Sequence, residues 1–395
     1  MKILTFGASP YINTNLGRIN RSLLLNLKEA GHLVASAVWD HDLSWYLPDN
    51  DRYFFEHNEE QICQIYPFDN INMEASAKFM YDVIFALNPE LVITSGDIED
   101  MEYTFAIKSL YPEKSKWVAY LAIPAFPINE NKVDQLKMID KIFVSTKKAQ
   151  KELESHGVES EYVPFGPSDT FTDHIDHSKS DRLHVMVNAK NSTISNIGNI
   201  FKAASSLDES YDIYLHTNYS DPGEFDLDLL KARYDKNNII RLPEEFVGLN
   251  EGISDEDLML EYSRADVILD VSARSATGLS VLEAMRMGSI PLTSRTGALA
   301  EICGNFKSFI VLNLDGNVFI SYGETELNIV RPSQIVHYLG ELKRIKQESP
   351  EELWNLMKEA KRVANGFSEK ELPLKILNSL KRIFSVDKEL KVETF

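Results

Sequence analysis

In the stretch SARSATGLSVLEAMRMGSIPLTSRTGALAEI, residues 272–302, the first glycine, Gly278, stands five positions ahead of Glu283 within an apolar run. A helix beginning at Gly278, Leu279 and Ser280 would present unpaired first-turn amides, whose partial positive charge favours phosphate. A glycine at that point lets a phosphate approach the backbone. Glu283 falls in the second turn, too far in to cap the helix, where its carboxylate can hold two hydroxyls of a pentose. The spacing suits a nucleoside diphosphate.

Other residues admit two readings each. Lys190, just after the apolar run 183–188, is either a cation for the diphosphate or a solvated loop lysine. Gly17 and Arg18 open a helix; they touch a diphosphate or acceptor, or they are a turn glycine and an exposed arginine. Asp97, beside Gly96, is a binding-site carboxylate or a turn residue. Glu301 caps its helix or contacts ligand hydroxyls. Asp226 and Asp228 have DxD spacing but read better as first-turn helix carboxylates than as metal ligands. His174 and His177, near Asp173 and Asp176, lie in a polar segment too loose for a metal cage, so no metal site is expected. Trp39, Trp45 and Tyr46 stack on a sugar or base, or pack in a core or lid.

The elements that must position these residues follow an alternating order. At 395 residues the chain exceeds what one core usually organises, so two domains are expected. Strand-like runs at 3–6, 32–38, 83–87, 91–94, 117–121 and 142–145 are separated by turn or helical segments, with helices over 17–30 and 147–156. After a Pro-, Gly- and Asp-rich segment at 163–182 the rhythm restarts. Strands at 183–188, 212–216, 238–242 and 267–271 alternate with helices at 197–207, 227–234, 255–264 and 278–288. Helices over 351–365 and 369–384 close the chain. Such βαβ order predicts parallel sheets covered by helices, with ligands at the carboxyl ends of the strands.

Composition narrows the class further. The formal charge of -19 makes polyanions and anionic membranes poor general partners, so an anion must be held locally. No apolar run reaches the roughly 18 residues of a membrane span, and Met1-Lys2 passes into strand without a signal-peptide pattern; a cytoplasmic location is expected. Cys63 and Cys303 are far apart and lack zinc spacing, which predicts buried thiols.

The segment DLMLEYSRADVILDVSARSATGLSVLEAMRMGSIPLTSRTGALAEI resembles the donor-binding signature of the retaining, group-1 (family 4-like) glycosyltransferases of the GT-B fold. Asp266, Ser272, Gly278, Leu279, Glu283, Ala284, Met285, Gly288, Pro291, Ser294, Gly297, Glu301 and Ile302 match it. Weaker likeness extends to LGRINRSLLLNLKEAGHLV, IDKIFVSTKKAQKELESHGV, YVPFGPSDTFTD and MKEAKRVANGFS. The resemblance implies an α/β chain of two Rossmann-like doubly wound domains facing a cleft. They would be an acceptor-side domain over 1–170 and a donor domain over 183–365, with a C-terminal helix over 366–395 crossing back to the first. It implies transfer of a sugar from a nucleoside-diphosphate sugar, UDP- or GDP-linked, to an unidentified acceptor with retention. No cofactor beyond the donor is required. By the same analogy Arg241 would lie near the base, and Gly17, Arg18, Lys190, Gly278, Leu279, Ser280 and Glu283 would bind the donor. Ser275, Lys190 and Asp97 would stand nearest the reaction, where charge stabilisation on the leaving diphosphate matters most.

Three departures accompany the matches. The earlier of the signature's two glutamates falls on Ser275. Asn188-Ala189-Lys190 stands where the family places Gly-Arg, and the later lysine of that grip falls near Asn196 or Ile197. The residue that usually follows the 117–121 strand is replaced by AIPAFP. Two alternatives therefore stand beside the transferase: a catalytically impaired relative that binds or stabilises another transferase, and a transferase acting on modified DNA bases. The latter needs Lys343, Arg344, Lys346, Lys381 and Arg382 to form one basic stripe. A homo-oligomer is compatible with the sequence.

Overall fold

Runs of Val, Ile and Leu that are buried on both faces become parallel strands, and the amphipathic runs between them become the covering helices. The computed structural model describes residues 1–39, 47–49, 52–68, 73–110, 115–172, 180–219, 224–243, 253–304, 317–319 and 326–390. Trp45, Tyr46, Asp173, His174, Asp176 and His177 lie outside the described residues, as do the side chains of Lys381 and Arg382. The chain forms two units. One comprises Met1–Ile123, Ile128–Phe165 and Glu369–Phe395; the other comprises Pro124–Pro127 and Gly166–Ser368.

In the first unit the order is β1 (Lys2–Gly7), α1 (Asn15–Glu29), β2 (Leu33–Val38), β3 (Leu47–Asp49), β4 (Arg52–His57), β5 (Glu60–Pro67), α2 (Met73–Leu87) and β6 (Leu91–Gly96). Then come α3 (Glu102–Leu110), β7 (Lys116–Leu121), α4 (Glu130–Leu136), β8 (Lys141–Val144), α5 (Lys147–Ser155) and β9 (Glu161–Tyr162). They build a nine-stranded sheet ordered β3-β4-β5-β2-β1-β6-β7-β8-β9. It is parallel from β5 to β9, while β4 runs antiparallel to β5 and β3. Helix α1 is capped by Thr14 and buries Leu23, Leu24 and Leu27. Each such leucine contributes roughly 1.5–3 kcal/mol. The 83–87 run is not a strand but the last turn of α2. Met80, Val83 and Ile84 are buried while Phe85 is 62% exposed, which is helical rather than two-residue periodicity.

The second unit contains β10 (Leu183–Asn188), α6 (Ile197–Ala204), β11 (Tyr211–His216), α7 (Leu227–Tyr234), β12 (Ile240–Arg241), α8 (Asp255–Arg264) and β13 (Val267–Asp270). These are followed by α9 (Leu279–Arg286), β14 (Ile290–Thr293), α10 (Gly297–Gly304), the hairpin β15 (Asn317–Phe319) and β16 (Glu326–Asn328), α11 (Pro332–Glu348) and α12 (Pro350–Ala364). The sheet is parallel throughout and ordered β12-β11-β10-β13-β14. One apolar core joins its strands to α6, α8, α9, α11 and α12. At its amino edge the Asp266 carboxylate accepts from Lys346 Nζ at 2.6 Å and from the His184 amide at 2.9 Å, tying α11 to the starts of β10 and β13. The last helix, α13 (Glu371–Leu390), belongs to the first unit. There the Glu369 carbonyl accepts from Ser22 Oγ on α1 at 3.1 Å, and Lys375 pairs with Glu161 at 3.4 Å.

Candidate functional site

The strand order of the second unit reverses between β10 and β13, so a crevice opens where the chain leaves these two strands in opposite directions. The 271–277 loop after β13 is held from both sides. Its Val271 carbonyl accepts from Asn196 Nδ2 at 2.7 Å, and the Ala273 amide donates to the Ile194 carbonyl at 2.7 Å. On the other side the Ser272 carbonyl accepts from Ser294 Oγ at 2.6 Å and Thr296 Oγ1 at 3.2 Å. The Ala298 amide reaches the Ser275 carbonyl at 3.0 Å. Gly297, at φ +43, permits this approach, since a Cβ there would lie 1.9 Å from the Ser275 oxygen. Asp270 at the base of the loop accepts from the Ser272 amide at 2.9 Å. Burial pushes its carboxyl above the usual range, partly offset by that hydrogen bond.

Helix α9 begins at Gly278, whose φ of +64 is left-handed, and no side chain caps it. The first-turn amides of Leu279 and Ser280 therefore have no side-chain cap among the described residues. The glycine has a packing reason as well: a Cβ would stand 2.5 Å from Ile302 Cδ1 and 3.2 Å from Leu299 Cδ2 on α10. Directly before it, Thr277 is buried and its hydroxyl has no hydrogen-bond partner among the described residues. Ser280 is half-buried. Glu283 is 2% exposed. Its Oε2 accepts from the Tyr262 hydroxyl at 3.3 Å, which in turn accepts from Asn188 Nδ2 at 2.7 Å. This relay carries Glu283 to the end of β10, on the β10 side of α9.

Three cations lie after three adjacent strands: Lys190 after β10, Arg274 after β13 and Arg295 after β14. None makes a hydrogen bond or ion pair among the described residues. Lys190 and Arg295 are exposed and Arg274 is half-buried. The charge of Lys190 helps to lower the Glu224 carboxyl, after the larger effect of hydrogen bonding to Thr193. Ser275, half-buried between the loop's anchor points, has a hydroxyl without a partner among the described residues. Arg274 and Arg295 escaped the sequence reading, because a lone loop arginine has no pattern until β13 and β14 are known to be neighbours.

Arg241 is turned toward Asp212, with Nε 2.8 Å from its carboxylate, and packs over Tyr214 at 5.0 Å. Its guanidinium is therefore held by its own sheet, and the residues 244–246 beyond it lie outside the described ones. Asp97 and Gly17–Arg18 belong to the first unit. Asp97 Oδ1 accepts from the Ile98 amide at 2.6 Å, a turn contact. The Gly17 amide donates to Thr14 Oγ1 at 3.2 Å, and Arg18 is buried rather than exposed. Asp226 caps α7 through the Leu229 amide at 2.9 Å, and Asp228 accepts from the Tyr219 hydroxyl at 2.5 Å. Lys343, Arg344 and Lys346 are each paired with carboxylates. Cys63 and Cys303 are buried free thiols, each pushed by burial to about 12. Among the described residues no group of three His, Cys, Asp or Glu could hold a metal ion, and no helix is long and apolar enough to cross a membrane.

No family model matches the chain, and no curated protein matches it by sequence. Solved structures do match. Sucrose-phosphate synthase from Thermosynechococcus elongatus superposes with a TM-score of 0.74 at 14% identity, covering 98% of this chain and 100% of that one. Anabaena HepE in complex with UDP and glucose gives 0.68 at 11% identity, with 97% and 100% covered. An E. coli trehalose-6-phosphate structure with bound UDP-2-fluoro glucose gives 0.68 at 11% identity, with 96% and 99% covered. The chain has the GT-B fold that these nucleotide-sugar glycosyltransferase structures share, in agreement with the α/β arrangement expected from its sequence.

Proposed function

We propose that the chain is a nucleotide-sugar-dependent glycosyltransferase that transfers its sugar with retention. The observation that carries this reading is the uncapped start of α9 at the switch point of a parallel sheet, with Glu283 buried one turn further on. In this reading the donor diphosphate rests on the Leu279 and Ser280 amides, with the Thr277 hydroxyl and Lys190 as further donors. Those groups face the charge that builds on the leaving phosphate oxygens, where fixed dipoles and cations lower the barrier most. Glu283 takes the ribose hydroxyls, with Tyr262 and Asn188 fixing its orientation. The HepE structure holds UDP and glucose and the trehalose-6-phosphate structure UDP-2-fluoro glucose, which makes UDP the first nucleotide to try. Arg18 and Asp97 in the first unit are candidates for acceptor recognition.

A second reading is favoured by Ser275, which supplies no carboxylate where the resembled signature has one: a relative that binds the nucleotide sugar and stabilises a partner transferase without turnover. Titrating the protein with UDP, GDP and their hexose conjugates while following melting temperature and slow donor hydrolysis separates the two. Binding with hydrolysis supports the transferase, binding without it the second reading. The absence of any shift would remove the nucleotide-sugar reading altogether.

A further inference from the structure

We infer that the sugar of the donor carries a carboxylate, making a nucleoside-diphosphate hexuronate the preferred substrate; the inference rests on the nucleotide-sugar reading above. The 272–275 and 294–298 segments run side by side, joined at one end by Ser294 Oγ and Thr296 Oγ1 to the Ser272 carbonyl and at the other by the Ala298 amide to the Ser275 carbonyl. Arg274 sits on the first segment and Arg295 on the second. No acidic residue occurs in 271–277 or 294–300, and apart from the two arginines the side chains of 272–277 and 294–297 are Ser, Ala, Thr or Gly. In a chain of net charge -19, two adjacent loops carry two guanidinium groups without a partner among the described residues, and the acids that flank them, Asp270 and Glu301, lie at the loop ends, Asp270 being bonded to the Ser272 amide.

Position along the sheet edge says which part of the ligand meets that site. The relay from Glu283 through Tyr262 to Asn188 places the pentose on the β10 side of α9. The diphosphate then lies at the α9 start, beside β13, where Gly278 packs against Ile302 and Leu299 of α10. Whatever is linked beyond it extends toward β14, since neighbouring strands are about 4.8 Å apart. Arg274 follows β13 and Arg295 follows β14, so the two arginines flank the path that a transferred sugar would take. A guanidinium presents two parallel N–H groups that match a carboxylate, and the neighbouring side chains are small.

The test compares matched donors by isothermal titration at fixed pH and salt: UDP-glucuronate with UDP-glucose, GDP-mannuronate with GDP-mannose, and free UDP and GDP as references. The acidic member of the accepted pair is expected to bind about tenfold more tightly than the neutral one, the worth of one charge-assisted contact. Arg274→Gln and Arg295→Gln should bring that ratio toward one, leave affinity for the free nucleoside diphosphate within about twofold, and melt like the parent. Equal binding of both members while the nucleotide still binds overturns the inference and leaves the nucleotide-sugar reading intact. An equal loss of free nucleotide and acidic donor in the variants also overturns it, because the arginines then hold phosphate. Failure of every nucleotide to bind removes both.

Discussion

The Tyr262 hydroxyl donates to Glu283 across 3.3 Å while accepting from Asn188 at 2.7 Å, so one buried phenol couples helix α8, helix α9 and the end of β10. Buried polar relays are costly to break, because removing one member leaves its neighbours short of a partner. Tyr262→Phe is expected to destabilise the protein by about 1–3 kcal/mol and to weaken nucleotide binding. Glu283→Ala should abolish the thermal shift with nucleotide sugars. Asp226→Ala, which removes only the α7 cap, should cost about 1 kcal/mol and leave that shift unchanged. A folded Glu283→Ala protein that still shifts with nucleotide would remove the ribose role.

Gly278 is fixed by two independent demands, a φ of +64 and a neighbour 2.5 Å from where a Cβ would go. The left-handed conformation costs a residue with a Cβ about 1–2 kcal/mol, and the Ile302 methyl must move as well, for about 1–3 kcal/mol more. Gly278→Ala should therefore lower stability by about 2–5 kcal/mol in urea titrations. Adding Ile302→Val should return only the steric part. A Gly278→Ala loss below about 0.5 kcal/mol, within the scatter of surface changes, would contradict this geometry.

Much of this architecture was legible in the sequence, for identifiable reasons. Parallel strands buried on both faces read as apolar runs, and α7 and α8 begin where Asp226 and Ser254 supply caps. The β4–β5 hairpin was not legible. Its strands mix charged with apolar residues, and its turn places Asn58 and Glu59, neither a glycine, at positive φ. Helix α11 was overlooked although Pro332 opens it and Ile335, Leu339, Leu342 and Ile345 line its buried face. The placing of Gly278 at a helix start and Glu283 within that helix was legible because both lie on one local element. The Arg241–Asp212 pair was not legible, because Asp212 comes from a different strand and only the folded sheet brings the two together.

That pair also sets a pH dependence. Burial alone would raise the Asp212 carboxyl, but hydrogen bonds from His184 and Arg241 and the charge of Arg241 bring it down to about 2. A carboxyl lowered in the folded state adds stability that is fully present above its unfolded value, about 3.9, and is lost as pH falls toward the folded one. Asp212→Asn should therefore cost about 1–2 kcal/mol at pH 7, less than the full linkage value because Arg241 is half in solvent and screened. The cost should shrink between about pH 4 and pH 2. Urea titrations at pH 7 and near pH 3 check this; an unchanged difference at the lower pH would mean the pair contributes nothing through charge.

Asp266 belongs to the signature that the sequence resembles, yet the structure places it at the amino edge of the sheet, opposite the α9 start. Its carboxylate is 3% exposed and is held by Lys346 and the His184 amide. Removing the cation alone leaves a buried acid without its counter-charge, a loss of about 3–5 kcal/mol for Lys346→Met. The double change Lys346→Met with Asp266→Asn should cost less than the sum of the single changes, since each alone strands the other's partner. Nucleotide affinity should stay at the parent level in every variant that remains folded, because neither side chain approaches the β10–β13 crevice. A double-mutant cycle by urea titration, read beside a nucleotide titration, tests both halves. Additive losses would deny the coupling, and a selective fall in nucleotide affinity would return Asp266 to the site.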